Sequence, residues 1–155
     1  MAPGGASRRK TGILPLSLNF DWRCSIATLL LAAEDDAFLP LQGMLEIFQR
    51  APPPKLMVTL KRADHLHFID NAEQEHEAFR TSSVGNKAIQ SDMKPVVQLV
   101  SGAVAHAFAS GLSLAHLDPV LRRSPSAQHF LEVNLKNELL RRGFEIRIET
   151  YQPAH

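Results

Sequence analysis

Hydrophobic and polar positions change period several times along the chain. Ile26–Ala33 (IATLLLAA) is an apolar run that ends abruptly in Glu34, Asp35 and Asp36. Its length and apolarity predict a central parallel strand covered on both faces. Glu34–Pro40 predicts a loop. Over Leu41–Arg50 the pattern becomes helical: Leu41, Leu45 and Phe48 recur on one face with Met44 and Ile47 beside them, and Pro40 stands at the start. Pro52–Pro54 end that helix. Leu56–Leu60 then sets Leu56, Val58 and Leu60 on one face and Met57 and Thr59 on the other, a β-prone alternation. It feeds directly into a loop carrying Asp64, His65 and His67. A strand, a helix and a strand in this order predict a right-handed crossover and two parallel strands. Their C-terminal ends then share one sheet edge, where α/β proteins place their sites.

Downstream, Asn71–Arg80 predicts a polar helix with Phe79 as its apolar contact, and the polar stretch Thr81–Met93 predicts a loop. Val96–Arg122 reads as a long helical region whose small residues (Gly102, Ala103, Ala105, Ala107, Ala109 and Gly111) allow close packing on a sheet or another helix. Ser124-Pro125 is a cap followed by a first helical turn. Phe130, Leu131, Leu135, Leu139 and Leu140 continue that helix, with a break near Asn134, and Gly143 closes it. Phe144, Ile146 and Ile148 alternate with Glu145, Arg147 and Glu149, predicting a half-exposed strand at the end. Near the start, Ile13–Phe20 is a short strand or an extended lead-in. Residues 1–12, small, basic and containing Gly and Pro, read as a disordered tail. The fold class is α/β, with one domain over residues 13–155 and no internal repeat.

Composition narrows the function classes. A chain of 155 residues with 45% hydrophobic and 21% charged residues can bury one ordinary core. A net charge of +1 gives no bulk attraction to nucleic acid or to an anionic membrane. Cys24 stands alone, which excludes an intramolecular disulfide and a multi-cysteine zinc site and fits a reducing, cytoplasmic setting. No secretory leader is evident, because Pro15 and Asn19 interrupt the apolar run after Arg8, Arg9 and Lys10. Val96–Leu117 lacks charged residues and is long enough to span a bilayer, but its serines, Gln98, His106 and His116 favour a buried helix instead.

Asp36 and His65 are the main candidates for chemistry. A histidine that takes a proton needs a carboxylate to fix its tautomer and to stabilise the imidazolium. The plainer alternative makes Asp36 a cap of the Leu41 helix and His65 a loop residue. His65 and His67 also form a His-x-His pair; on an extended chain both would point the same way and could share a metal, with Asp36, Asp70 or His76 adding a ligand. Phe68 beside it favours His67 as a packing residue. The Glu73–Glu77 run reads as a solvated helix face, and His106, His116 and His129 read as structural. Ser113 lies inside a helical pattern, and Cys24 reads as a small buried residue.

The strings LLLAAEDDAFLP and LMVTLKRADHLHF resemble the last third of the α/β-hydrolase superfamily, nearest the dienelactone-hydrolase-like group. The family's acid follows a strand in a Gly-x-x-Asp turn with a proline a few residues on. Here Ala33-Glu34-Asp35-Asp36 and Pro40 match, with Ala33 in place of glycine. The family's histidine follows the next strand in a Gly-Ala-x-His turn, matched by Arg62-Ala63-Asp64-His65 with Arg62 in place of glycine. The resemblance covers Ile26–Arg80 and implies Asp36 as triad acid, Asp35 as its fallback, and His65 as base. It implies ester or related acyl hydrolysis of a small-molecule substrate, without a cofactor. The family's nucleophile elbow, Gly-x-Ser-x-Gly, precedes the acid and has no counterpart here. Gly111-Leu112-Ser113-Leu114-Ala115 is the nearest string and falls after the histidine. The implied protein is therefore the C-terminal portion of a hydrolase domain, supplying acid and base without a nucleophile: a fragment, or half of a site completed by another chain. A non-catalytic module pairing through an exposed sheet edge, as a homo-oligomer or with a partner chain, is the second reading, and the metal site the third. Neither nucleic acid nor membrane is expected as a partner.

Overall fold

The computed structural model describes Trp22 and residues 24–150. The expected tail over 1–12 and the Ile13–Phe20 lead-in lie outside these residues. The described chain is a mixed α/β fold built on a three-stranded sheet in the order β1-β2-β3. β1 (Thr28–Ala33) and β2 (Lys55–Leu60) are parallel, joined through helix α1 (Leu41–Arg50). The crossover predicted from the sequence is present, with Thr28 opposite Lys55 and Ala33 opposite Leu60. β3 (Ile146–Thr150) returns antiparallel on the far side of β2, with Leu60 opposite Ile146. β2, not β1, is therefore the central strand. Met57, Val58, Thr59 and Leu60 of β2 are buried, whereas β1 is only half-buried until Ala32 and Ala33. The apolar run of β1 suits a strand with cover on both sides, but among the described residues it forms the sheet edge.

After β2 a 3-10 turn (His65–Phe68) leads into α2 (Ala72–Thr81). The polar segment read as a loop contains a helix, α3 (Lys87–Asp92). Asn86 starts it by accepting the amide hydrogens of Ala88 and Ile89 with its side-chain oxygen. Helix α4 (Gly102–Leu121) follows a short 3-10 turn at Val96–Gln98, and Ser101 caps it through the Val104 amide. Ser124 caps α5 (Pro125–His129) as expected. The break near Asn134 is a wide π-type turn over Phe130–Asn134 before α6 (Leu135–Arg141), and Gly143 (φ +84°) ends that helix.

The main core lies on the sheet face carrying Ala33, Val58 and Leu60, against Ala105, Phe108 and Leu112 of α4 and Leu135 and Leu139 of α6. The alternation along β2 dictates this face. A smaller cluster of Ala37, Ile89 and Met93, with Phe38, Leu66 and Phe79 packed against it, sits beside the sheet edge where β1 and β2 end. Gly102 lets α4 approach α2 closely: a Cβ there would lie 2.8 Å from the Ala72 Cβ.

Phe108 is 1% exposed, and its ring lies 6.4 Å from Phe68 and 6.0 Å from Phe144. Phe108→Ala is expected to lose about 3–5 kcal/mol of stability in urea unfolding, since it removes apolar contact and leaves a cavity. A loss under about 1 kcal/mol would mean that α4 does not carry this core.

Candidate acid–base site

The parallel pairing of β1 and β2 brings two loops together. Two backbone hydrogen bonds tie them: the Glu34 amide donates to the Leu60 carbonyl (3.0 Å) and the Asp35 amide to the Ala63 carbonyl (2.9 Å). To turn out of β2 the chain adopts a left-handed conformation at Arg62 (φ +52°), a region that glycine enters without strain. Arg62 holds it with contacts on both sides. Its amide donates to Glu34 Oε2 (3.3 Å), its carbonyl accepts from the Val100 amide (2.7 Å), and its guanidinium pairs with Glu145. Ala63 next to it is fully buried, which leaves no room for a larger side chain.

The structure places Asp36 and His65 in direct contact, with Asp36 Oδ2 3.0 Å from His65 Nδ1. The other carboxylate oxygen of Asp36 accepts the amide hydrogens of Phe38 (2.9 Å) and Leu39 (2.7 Å), so the loop's own backbone orients it. The Asp36 side chain is 9% exposed and that of His65 41%. With Nδ1 engaged by the carboxylate, Nε2 is the ring nitrogen left for a reacting partner. The Phe38 ring packs on the imidazole at 5.2 Å and rests in turn on Phe79 at 5.0 Å. The hydrogen bond that His65 donates to Asp36 raises the His65 pKa above its ordinary value, against partial burial, which acts the other way.

Asp35, the fallback acid, points elsewhere. Its Oδ1 pairs with Lys94 Nζ at 2.7 Å. Glu34, Asp35, Asp36, Pro40, Asp92 and Lys94 line a cleft of about 440 Å3 beside the dyad. His65 is not part of that lining, so the cleft adjoins the carboxylate side of the pair.

His67 does not share a direction with His65. The chain there is a 3-10 turn rather than extended, and His67 turns inward to full burial. Its Nδ1 accepts the Asp64 amide hydrogen (3.3 Å), while Asp64 Oδ1 accepts that of Leu66 (3.4 Å), a reciprocal cap of the turn. His76, expected on a solvated face, is also fully buried. Its Nε2 donates to the Lys94 carbonyl (2.8 Å), its Nδ1 lies 3.7 Å from Asp64 Oδ1, and its ring meets the His67 ring edge-on at 5.3 Å. Burial pushes the Asp64 carboxyl up, with the nearby His76 opposing, and burial pushes His67 down. Among the described residues no group of three or more His, Cys, Asp or Glu side chains is placed to hold a metal ion.

Sequence reading missed this buried layer because an acidic helix with one histidine looks the same whether that histidine faces in or out. The signal available was Ala72, His76 and Phe79 at helical spacing on one face of α2. Cys24, read as buried, is exposed. Ser113 is exposed on α4, on the side away from Ala105, Phe108 and Leu112. No family model, curated protein or solved structure matches the chain.

Two outcomes follow from the proton balance. In an NMR titration His65 is expected to titrate above the ordinary imidazole value of about 6.5, and Asp36→Asn to bring it down, since burial then acts without the anionic acceptor. An unchanged midpoint in the variant would dissolve the dyad. The stability effects of His65 and His67 have opposite sign. His65, raised on folding, contributes stability that is full below about pH 6.5 and is lost as pH rises through its folded pKa. His67, lowered on folding, contributes stability that is full above about pH 6.5 and is lost as pH falls through its folded pKa. His67→Asn keeps an acceptor for the Asp64 amide but cannot titrate. Urea midpoints of this variant should fall less than those of the wild type on acidification from pH 7; parallel curves would show that His67 charges freely.

Proposed function

We propose that the chain supplies the acid–base half of a hydrolytic site, within a partial α/β-hydrolase fold, acting on a small-molecule ester or related acyl substrate. The observation that carries this reading is the 3.0 Å contact between Asp36 Oδ2 and His65 Nδ1 at the C-terminal ends of two parallel strands. The resemblance through Ala33–Pro40 and Arg62–His65 supports it, and the left-handed turn at Arg62 stands where that family has glycine. On this reading His65 Nε2 takes the proton of an attacking hydroxyl and returns it to the leaving group, while Asp36 holds the ring and stabilises the imidazolium. The nucleophile and the oxyanion donors come from outside the described residues, and no cofactor takes part. The second reading, a non-catalytic module pairing through its sheet edge, draws on β1 having no strand beside it among the described residues. The His65–His67 metal reading draws nothing from the 3-10 turn, which sends the two rings to different surroundings.

The test uses the purified chain with two probes. A fluorophosphonate, read by intact mass, is expected to leave no adduct. An activated p-nitrophenyl ester is expected to be hydrolysed slowly, with a rate that rises as His65 deprotonates. His65→Ala should abolish that component and Asp36→Asn should weaken it. A fluorophosphonate adduct that disappears in His65→Ala would mean the chain carries its own nucleophile. An ester rate equal in wild type and His65→Ala would remove the acid–base role.

A further inference from the structure

Among the described residues, helix α4 has an apolar face that the core does not use. The core takes Ala105, Phe108 and Leu112. On the opposite side Ala103, Ala107, Ser110, Leu114, Leu117 and Leu121 are all exposed. They follow one another at alternating steps of four and three, the spacing of a two-helix seam. Leu114 is 56% exposed, Leu117 47% and Leu121 73%, and Asp118 is the one charged residue in the helix. A helix that is apolar all round is ordinarily buried all round; among the described residues this one is covered on one side.

We infer that this seam is a self-association surface on which a second copy of the chain lays its own α4 antiparallel. The order of side-chain sizes along the seam supplies the argument. The small residues Ala103, Ala107 and Ser110 fill the first half, and Leu114, Leu117 and Leu121 the second. A two-fold axis through the middle of the helix sets Ala103 against Leu121, Ala107 against Leu117 and Ser110 against Leu114. Each large side chain then meets a small one, and the contact is isologous. A parallel pairing would stack leucine on leucine at one end and leave the alanine end loosely packed. Charge points the same way. Glu73 caps the first amide of α4, accepting the Gly102 N–H at 2.6 Å, and exposed Arg122 and Arg123 follow its last turn. The antiparallel arrangement brings these arginines toward Glu73 of the second copy; the parallel one sets arginines against arginines. A helix of 20 residues is about 30 Å long, so a strip one helix wide is on the order of 300 Å2 per copy. That is at the low end for specific association, so the dimer is weak and reversible. This surface is separate from the Asp36–His65 pair and does not depend on its function.

Sedimentation velocity over two decades of concentration tests the proposal. The wild type should move from monomer toward dimer as concentration rises, and Leu114→Glu and Leu117→Glu should remain monomeric with unchanged circular-dichroism melts, since both positions are exposed. Orientation is read in a Cys24→Ser background: a mixture of Ser110→Cys and Leu114→Cys chains should form the mixed disulfide faster than either same-position disulfide. A wild type that stays monomeric throughout overturns the proposal. So does association that survives both glutamate variants, which would place the contact elsewhere, for example at the β1 edge. Preferential Leu114→Cys self-linkage would overturn the antiparallel arrangement, and a monomer that floats with phosphatidylcholine vesicles would assign the face to lipid.

Discussion

The parallel register of β1 and β2 is the constraint on which the rest of the molecule depends. With Ala33 opposite Leu60, the two strands end level, and the loops that leave them must share the same few ångströms of sheet edge. The Glu34–Leu60 and Asp35–Ala63 hydrogen bonds continue the ladder past the strands and bind one loop to the other. Asp36 and His65, 29 residues apart, meet as a consequence. Each loop also orients its own side chain. Asp36 relies on the amides of Phe38 and Leu39, while His65 relies on a turn that Arg62 enters in a left-handed conformation and that Asp64 and His67 close.

The site is a dyad on top of a buried polar layer. His65 and His67 are two residues apart, yet one side chain is partly exposed and the other is fully buried, as are Asp64 and His76. Their proton affinities move in opposite directions because the dominant physical cause differs: a hydrogen bond donated to a carboxylate for His65, loss of water for His67. The lower layer demands that several polar groups be satisfied without water. Asp64 accepts the backbone amide hydrogens of Ala37 and Leu66, which also joins the loop carrying Asp36 to the turn carrying His65. Burial of polar groups and positioning of the dyad are thus one structural solution.

The helices divide the same way between inward and outward demands. α2 and α3 close the small cluster under Phe38, so the ring that packs on His65 has a floor. α4 covers the sheet face carrying Ala33, Val58 and Leu60 with three buried side chains and, among the described residues, turns a comparably apolar stripe outward. No described helix is long and apolar enough to cross a membrane.

The sequence by itself determined the elements whose signals are local. The period of Leu41–Arg50, the alternation of Leu56–Leu60, the Ser124-Pro125 cap and the glycine at 143 each act within a few residues, and each element formed where its pattern lay. It also marked Asp36 and His65, because their distance from two strand ends is a local property repeated twice. What only the tertiary structure decided depends on which neighbour arrives from far along the chain. β1 became an edge and β2 the centre because β3 pairs with β2 from more than eighty residues away. The polar stretch at Lys87–Asp92 became helical because Ile89 and Met93 found Ala37, a contact no window around them contains. His76 was buried because α2 packs on the His65–Phe68 turn, where its ring meets Asp64 and His67. Periodicity states which residues share a face; only the packing of distant elements states whether that face meets protein or water.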